Sequence, residues 1–259
     1  MEADVKVFCP HCLNEFYLNE QPREEILNSS VSITRRKVER SSWQEIDELV
    51  SAGYGYQLFN IGDTVSFTMK SGTNFAMDVA AMNVGGESNV VLVAHDCLPD
   101  DHVMNERNVY GSAGGYSKCS MARYLDKDIL SLFPDDFVAI IKPREIIQCI
   151  DGTTYTSVHK LWLPSQTEMV AEYQSDIDVG DEHFPLFSDE RSRVKMRIGG
   201  KDTIWYWLRT PNSGNGRSVR FVHTSGFLSY YYAYDSSGVA PACIIGNPIP
   251  NNRATTVAR

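Results

Sequence analysis

The 259-residue chain carries 24 Lys and Arg against 33 Asp and Glu, a formal net charge of −9, with 42% hydrophobic residues. That acidic balance argues against a non-specific nucleic-acid binder, which needs a basic surface against phosphate, and no apolar run is long enough to span a bilayer. The opening MEADVKVF lacks a basic stretch followed by an apolar core, so no secretory signal is expected; cytoplasm, virion and a cell surface reached by another route all stay open.

Residues 1–41 read as an N-terminal extension ahead of one domain over 42–259. Cys9-Pro10-His11-Cys12 has the spacing of half a zinc ribbon, so Cys9 and Cys12 are candidate zinc ligands. A structural zinc needs four ligands and no second Cys-x-x-Cys follows, so a knuckle without metal is the competing expectation. The remaining cysteines are scattered and read as reduced thiols.

The domain opens with a helix. Ser42 and Glu45 form a capping-box pattern, Ile46, Leu49 and Val50 an apolar stripe, and Gly53 a stop. Strand-like runs follow at 57–60, 64–69 and 74–82, separated by Gly-containing turns. Asn89–Ala94 is a continuous apolar run, fit for a buried strand. His95-Asp96 closes it, with His102 and Asp100-Asp101 nearby. No Gly-x-Ser-x-Gly elbow accompanies them, which favours a structural histidine over a catalytic one. Residues 111–115 are no P-loop, because no Gly-Lys-Ser/Thr follows.

Residues 117–133 carry Met121, Tyr124, Leu125, Ile129 and Leu132 at helical spacing, with Pro134 to end the helix. Leu161-Trp162-Leu163 is a short apolar strand, and Ser165–Glu168 a second capping box. Asp176, Asp178, Asp181 and Glu182 lack the EF-hand pattern, so they read as a solvated loop rather than a calcium site. After Gly199-Gly200 come strand-like runs at 205–208, 218–222 and 242–245. The class expected is α+β, with short strands, two or more helices and much irregular connection.

Residues 212–238 stand apart in composition. Sixteen of these 27 residues are Ser, Tyr, Gly or Asn, and Tyr230, Tyr231, Tyr232 and Tyr234 crowd into five positions. This is the composition of an antibody paratope. Tyrosine offers a large amphipathic contact at low entropy cost, and Ser, Gly and Asn offer adaptable hydrogen bonds. The plain alternative is a Gly/Ser-rich hairpin with an aromatic edge. Alternate residues of a strand face opposite sides, so three successive tyrosines require at least one to meet solvent.

Several patches in fixed order carry a resemblance: Gly62-Asp63-Thr64-Val65, Asn108, Gly114-Gly115-Tyr116, Ser120-Met121-Ala122-Arg123-Tyr124-Leu125, Lys160-Leu161-Trp162-Leu163-Pro164-Ser165, residues 184–187, Trp207-Leu208-Arg209-Thr210-Pro211 and Gly238-Val239-Ala240-Pro241-Ala242. Together they resemble uncharacterised proteins of gut bacteria and their phages. The end of the chain resembles the variable proteins of diversity-generating retroelements. Those proteins use a C-type-lectin fold of the branch shared with formylglycine-generating enzyme. Retroelement mutagenesis of adenines in Asn-type codons cannot yield Lys, Glu, Gln, Met or Trp, and residues 212–238 contain none of these five. The tail 243–259 lacks them as well.

The resemblance implies a binding protein rather than an enzyme, with no cofactor; the candidate zinc at Cys9 and Cys12 stands outside the resemblance. It would engage a cell-surface protein or glycan, with neither nucleic acid nor membrane insertion. The variable part would span about 206–237. Its changeable, exposed residues would be Tyr206, Ser213, Asn215, Ser218, Arg220, His223, Ser225, Ser229, Tyr230, Tyr231, Tyr232, Tyr234, Asp235 and Ser237. Trp207, Leu208, Val219, Phe221, Val222, Gly226, Val239 and Pro241 would be fixed scaffold. Two competing functions are a formylglycine-generating-type oxidase and an invariant structural or tail module. The oxidase works through a pair of late cysteines, and only Cys243 stands in that region.

Overall fold

The computed structural model describes residues 5–8, 15–18, 42–173 and 175–250. The chain divides into two compact units, Met1–Ser41 and Ser42–Arg259. In the first, β1 (Val5–Phe8) and β2 (Glu15–Leu18) form an antiparallel hairpin that pairs Val5 with Leu18 and Phe8 with Glu15. Cys9 and Cys12 lie outside the described residues.

The second unit begins with α1 (Trp43–Leu49). Its capping box forms as expected: the Ser42 hydroxyl accepts from the Glu45 amide, and the Glu45 carboxylate accepts from the Ser42 amide at 2.9 Å. Gly53, at φ 92°, does not end the helical path. A wide turn over Val50–Tyr54 leads into a helical turn at Gly55–Leu58, where an extended run was expected. A four-stranded antiparallel sheet follows, built from β3 (Thr64–Thr68), β4 (Asn74–Met82) and β5 (Asn89–Ala94), and joined later by β15 (Ala242–Gly246). Its order is β15-β5-β4-β3. β5 lies between two partners and every residue of it is buried, which is why Val90–Ala94 is an unbroken apolar run. β3 is an edge, with three of its five residues exposed and the other two half-buried.

A two-residue strand, β6 (His102–Val103), precedes the helical segment. There α2 (Ser120–Tyr124) continues through a wide turn over Leu125–Ile129 to Leu132, and Pro134 then starts α3 (Asp135–Ile140). Phe133 and Phe137 pack with Phe67, Phe75 and Trp43 as one aromatic cluster, ring centroids 4.5–6.4 Å apart. Next comes the hairpin of β7 (Arg144–Ile150) and β8 (Thr153–His159), whose β7 buries alternate residues. Two of those buried residues, Arg144 and Gln148, are polar.

A short helix, α4 (Gln166–Met169), carries the second capping box. A small ribbon of β9 (Lys195–Met196) and β10 (Thr203–Ile204) leads to a three-stranded antiparallel sheet of β11 (Tyr206–Pro211), β12 (Ser218–Val222) and β13 (Leu228–Tyr232), in that order. Finally β14 (Ser236–Ser237) pairs with β6, and β15 (Ala242–Gly246) returns to the large sheet beside β5. The class is α+β. Among the described residues no helix is long and apolar enough to cross a membrane.

Candidate functional site

β11 is buried along its whole length, and two of its residues are charged or polar. Arg209 reaches carboxylates from two other elements: Glu168 of α4 at 2.7 Å, and Asp181. Asp178 lies 3.9 Å from its Nε. Arg144 of β7 also pairs with Glu168, and with Asp181 at 2.8 Å. Thr210 donates to Asp178, and Gln148 donates to the same carboxylate at 2.8 Å. Three carboxylates and two guanidinium groups are thus closed inside the domain. Burial pushes Glu168 up, but Arg144 and Arg209 outweigh it and hold the carboxyl below its usual range. For Asp181 burial prevails over Arg209, and the group is pushed up to about 7. Burial likewise raises Asp178.

The expected solvated loop is therefore corrected. Asp178 and Asp181 are interior ligands of Arg209, and they tie the 176–182 segment to the strand beneath the hairpin. The chain order hides this, because Arg209 stands 28 residues from Asp181 and 41 from Glu168.

On that base stands the β12–β13 hairpin. Its register pairs Ser218 with Tyr232, Val219 with Tyr231, Arg220 with Tyr230 and Phe221 with Ser229. Tyr230, Tyr231 and Tyr232 are 52%, 47% and 42% exposed, and Tyr234 beyond them is 45% exposed, so alternation buries none of the four. β13 is the free edge of its sheet, and that explains the exposure. The two faces still differ. Tyr231 meets Trp205 edge-on at 5.7 Å, and Trp205 meets Phe221 at 4.8 Å and Trp207 at 5.2 Å. Trp205, Phe221, His223 and Tyr231 line an open, mainly apolar cleft of about 200 Å³. On the other face Tyr230 lies by Arg220, and Tyr232 stacks on Tyr234 at 5.9 Å.

The hairpin is held from below at Gly226. Its φ is +93°, and a Cβ there would stand 1.8 Å from the Glu190 carbonyl oxygen. Arg193 donates through Nε to the Gly226 carbonyl at 2.9 Å. His223 turns its ring onto Phe227 at the tip.

Ser213, Ser225 and the four hairpin tyrosines are exposed, and Asn215, Arg220, His223, Ser229 and Asp235 are partly so. Three expected surface residues are not at the surface. Tyr206 is fully buried and donates its hydroxyl to the Arg193 carbonyl at 2.7 Å. Ser237 is buried and donates to the Trp205 carbonyl at 2.6 Å, and Ser218 is buried on β12. Small or tyrosyl side chains with an internal acceptor suit an interior as well as a surface, so composition misplaced them. Conversely, Trp205 and Phe221 line the cleft although neither is among the expected binding residues. The clue is an aromatic just before β11 and another on β12, whose register partner Ser229 precedes the tyrosine run.

His95 pairs with Asp78 of β4 at 2.8 Å rather than with Asp96, whose carboxylate accepts from the Met196 amide. Among the described residues one Ser–His–Asp chain forms: His159 joins Asp126 at 2.5 Å and Ser157 at 2.8 Å. Ser157 lies mid-strand opposite Ile146, and not at a strand-to-helix turn that would present a nucleophile. The relay pins β8 to the helical segment. Among the described residues no group of three or more His, Cys, Asp or Glu could hold a metal ion.

Residues 87–247 match the model of a domain of unknown function, DUF6273. No curated protein and no solved structure matches the chain.

Proposed function

The chain belongs to the DUF6273 family, and we propose that it is a binding protein whose ligand face is the β12–β13 hairpin with the turns beside it. The observation that carries this is the simultaneous exposure of Tyr230, Tyr231 and Tyr232 on a free edge strand. Such rings give a rigid amphipathic contact area without a large entropy cost. Their backbone is anchored to an interior that the ion cluster and Gly226 hold in place. Side chains on this face can change while the frame below stays as it is.

The reading includes diversification by a retroelement on a lectin-type frame. Support comes from the five residue types missing from 212–238 and from the exposure, full or partial, of the changeable positions there other than Ser218 and Ser237. β15 lies beside β5, so residues 242–246 are locked into the large sheet while the hairpin belongs to the separate β11-β12-β13 sheet. The oxidase reading is disfavoured by Cys243, which is fully buried on β15 with its thiol pushed up by burial, away from the reactive thiolate.

Sequencing the DNA around the gene tests the proposal. A reverse transcriptase and a template repeat should flank it, and sister genes should differ at template adenines within codons for exposed hairpin residues. An invariant hairpin across sister strains with no such repeat would refute diversification. Replacing Tyr230, Tyr231, Tyr232 and Tyr234 by serine should abolish capture of the ligand; unchanged capture would refute the binding face.

A further inference from the structure

The hairpin differs in charge from the rest of the chain. Residues 212–238 hold two arginines, Arg217 and Arg220, and one aspartate, Asp235, in a chain of net charge −9. Arg220 stands on β12 directly opposite Tyr230, with its guanidinium 5.7 Å from that ring. Its Nε is withdrawn from solvent and has no hydrogen-bond partner. Among the described residues no carboxylate forms an ion pair with Arg220. Arg144 Nη1 and Arg209 Nε are buried without a hydrogen bond as well, but both of those arginines are paired with carboxylates, and Arg193 donates to the Gly226 and Met169 carbonyls; Arg220 has neither. A buried donor left unpaired costs free energy, which an arriving acceptor restores.

We propose that Arg220 receives the carboxylate of an acidic sugar, with Tyr230, Tyr232 and Tyr234 as the platform for the sugar rings. This rests on the reading of the hairpin as a ligand face. The guanidinium is a planar fork whose donors match a carboxylate in two parallel hydrogen bonds. Tyr230 lies across from Arg220, Tyr232 is two residues along on the same face, and Tyr234 stacks on Tyr232 with ring planes 21° apart. A pyranose presents an apolar C–H face that suits the negative face of an aromatic ring. An open row of rings beside one cation fits a chain of sugars better than a protein anchor, which favours a closed, desolvated pocket. The apolar cleft at Trp205 is lined by Tyr231, which alternates with Tyr230 and Tyr232 along β13 and whose ring meets that of Tyr232 at 5.7 Å.

The full chain should be titrated by calorimetry with uronate and sialylated oligosaccharides, their methyl esters and neutral counterparts, and poly-glutamate. An acidic oligosaccharide should bind, more weakly as salt is raised. Methyl esterification and Arg220→Gln should each weaken it about tenfold or more, and Arg220→Lys should weaken it less. Thermal melts of the variants should match the parent. Equal binding of ester and acid, no loss in Arg220→Gln, or no binding of any acidic oligosaccharide would overturn the proposal. Poly-glutamate bound with the same Arg220 dependence would assign the face to an acidic peptide instead and also overturn it. A ligand lost on Tyr230→Ser with Tyr232→Ser but indifferent to Arg220→Gln overturns the acidic-sugar assignment alone. A ligand indifferent to all of these variants overturns the ligand face as well.

Discussion

Arg209 and Glu168 stand 2.7 Å apart with both side chains closed to solvent, and this pair fastens the strand under the ligand face to a helix that its own capping box has already fixed. Glu168 therefore serves twice, as the capping residue for Ser165 and as a counter-ion for Arg209 and Arg144. Removing one member strands the others without compensation. Arg209→Met should lower unfolding free energy by about 3–5 kcal/mol, the usual cost of breaking a buried ion pair from one side. Urea denaturation of the variant beside the parent measures this; a loss within about 0.5 kcal/mol would show that the cluster does not hold the domain together.

The same cluster makes stability depend on pH in a defined direction. Asp181 has an ordinary value of 3.8 and is pushed up to about 7 in the folded domain. The folded chain then holds a proton that the unfolded chain releases. The stability contributed by this group is full below about 4 and is lost as pH rises through about 7. Urea midpoints should therefore fall between pH 5 and pH 8. Asp181→Asn cannot ionise and should flatten that slope, even where it lowers the midpoint overall. A midpoint that rises over the same window would contradict the burial of an excess carboxylate.

How much of this was legible in the sequence depends on the range of the interaction. β5 is legible because a strand buried on both faces is apolar almost throughout, as Val90–Ala94 is. Both capping boxes are legible because their partners lie three residues apart. The ion cluster is not, since Arg144, Glu168, Asp181 and Arg209 meet only after folding and an acidic loop reads as solvated until its cations are placed. Tyr206 shows the limit of composition: it adjoins a tyrosine-rich face, yet its hydroxyl ends on a carbonyl in the interior. The three successive tyrosines did force solvent exposure by strand alternation, but only the edge position of β13 accounts for all of them being exposed.

Gly226 should tolerate no side chain. Its positive φ disfavours an L-residue, and the Glu190 carbonyl occupies the place of a Cβ. Gly226→Ala must move the hairpin tip or the 190–193 turn, with loss of the Arg193 hydrogen bond. A destabilisation of about 2 kcal/mol or more is expected. Amide exchange should quicken along β12 and β13 while β4 and β5 stay protected. Retention of the parent melting temperature would mean that the tip is not held at this point.

Stability should separate the changeable surface from its frame more sharply than position in the chain does. Tyr206 and Tyr230 both belong to the segment expected to vary, yet one is fully buried and the other half exposed. Tyr230→Ser removes a ring that is largely in water, and its effect should fall within about 0.5 kcal/mol. Tyr206→Ser empties an interior site and removes the hydroxyl that reaches Arg193, with an expected cost of about 3–5 kcal/mol. Denaturant midpoints of the two variants give the comparison directly. If Tyr230→Ser proved as costly as Tyr206→Ser, the hairpin tyrosines would be structural, and a face built on them could not change its side chains without losing the fold.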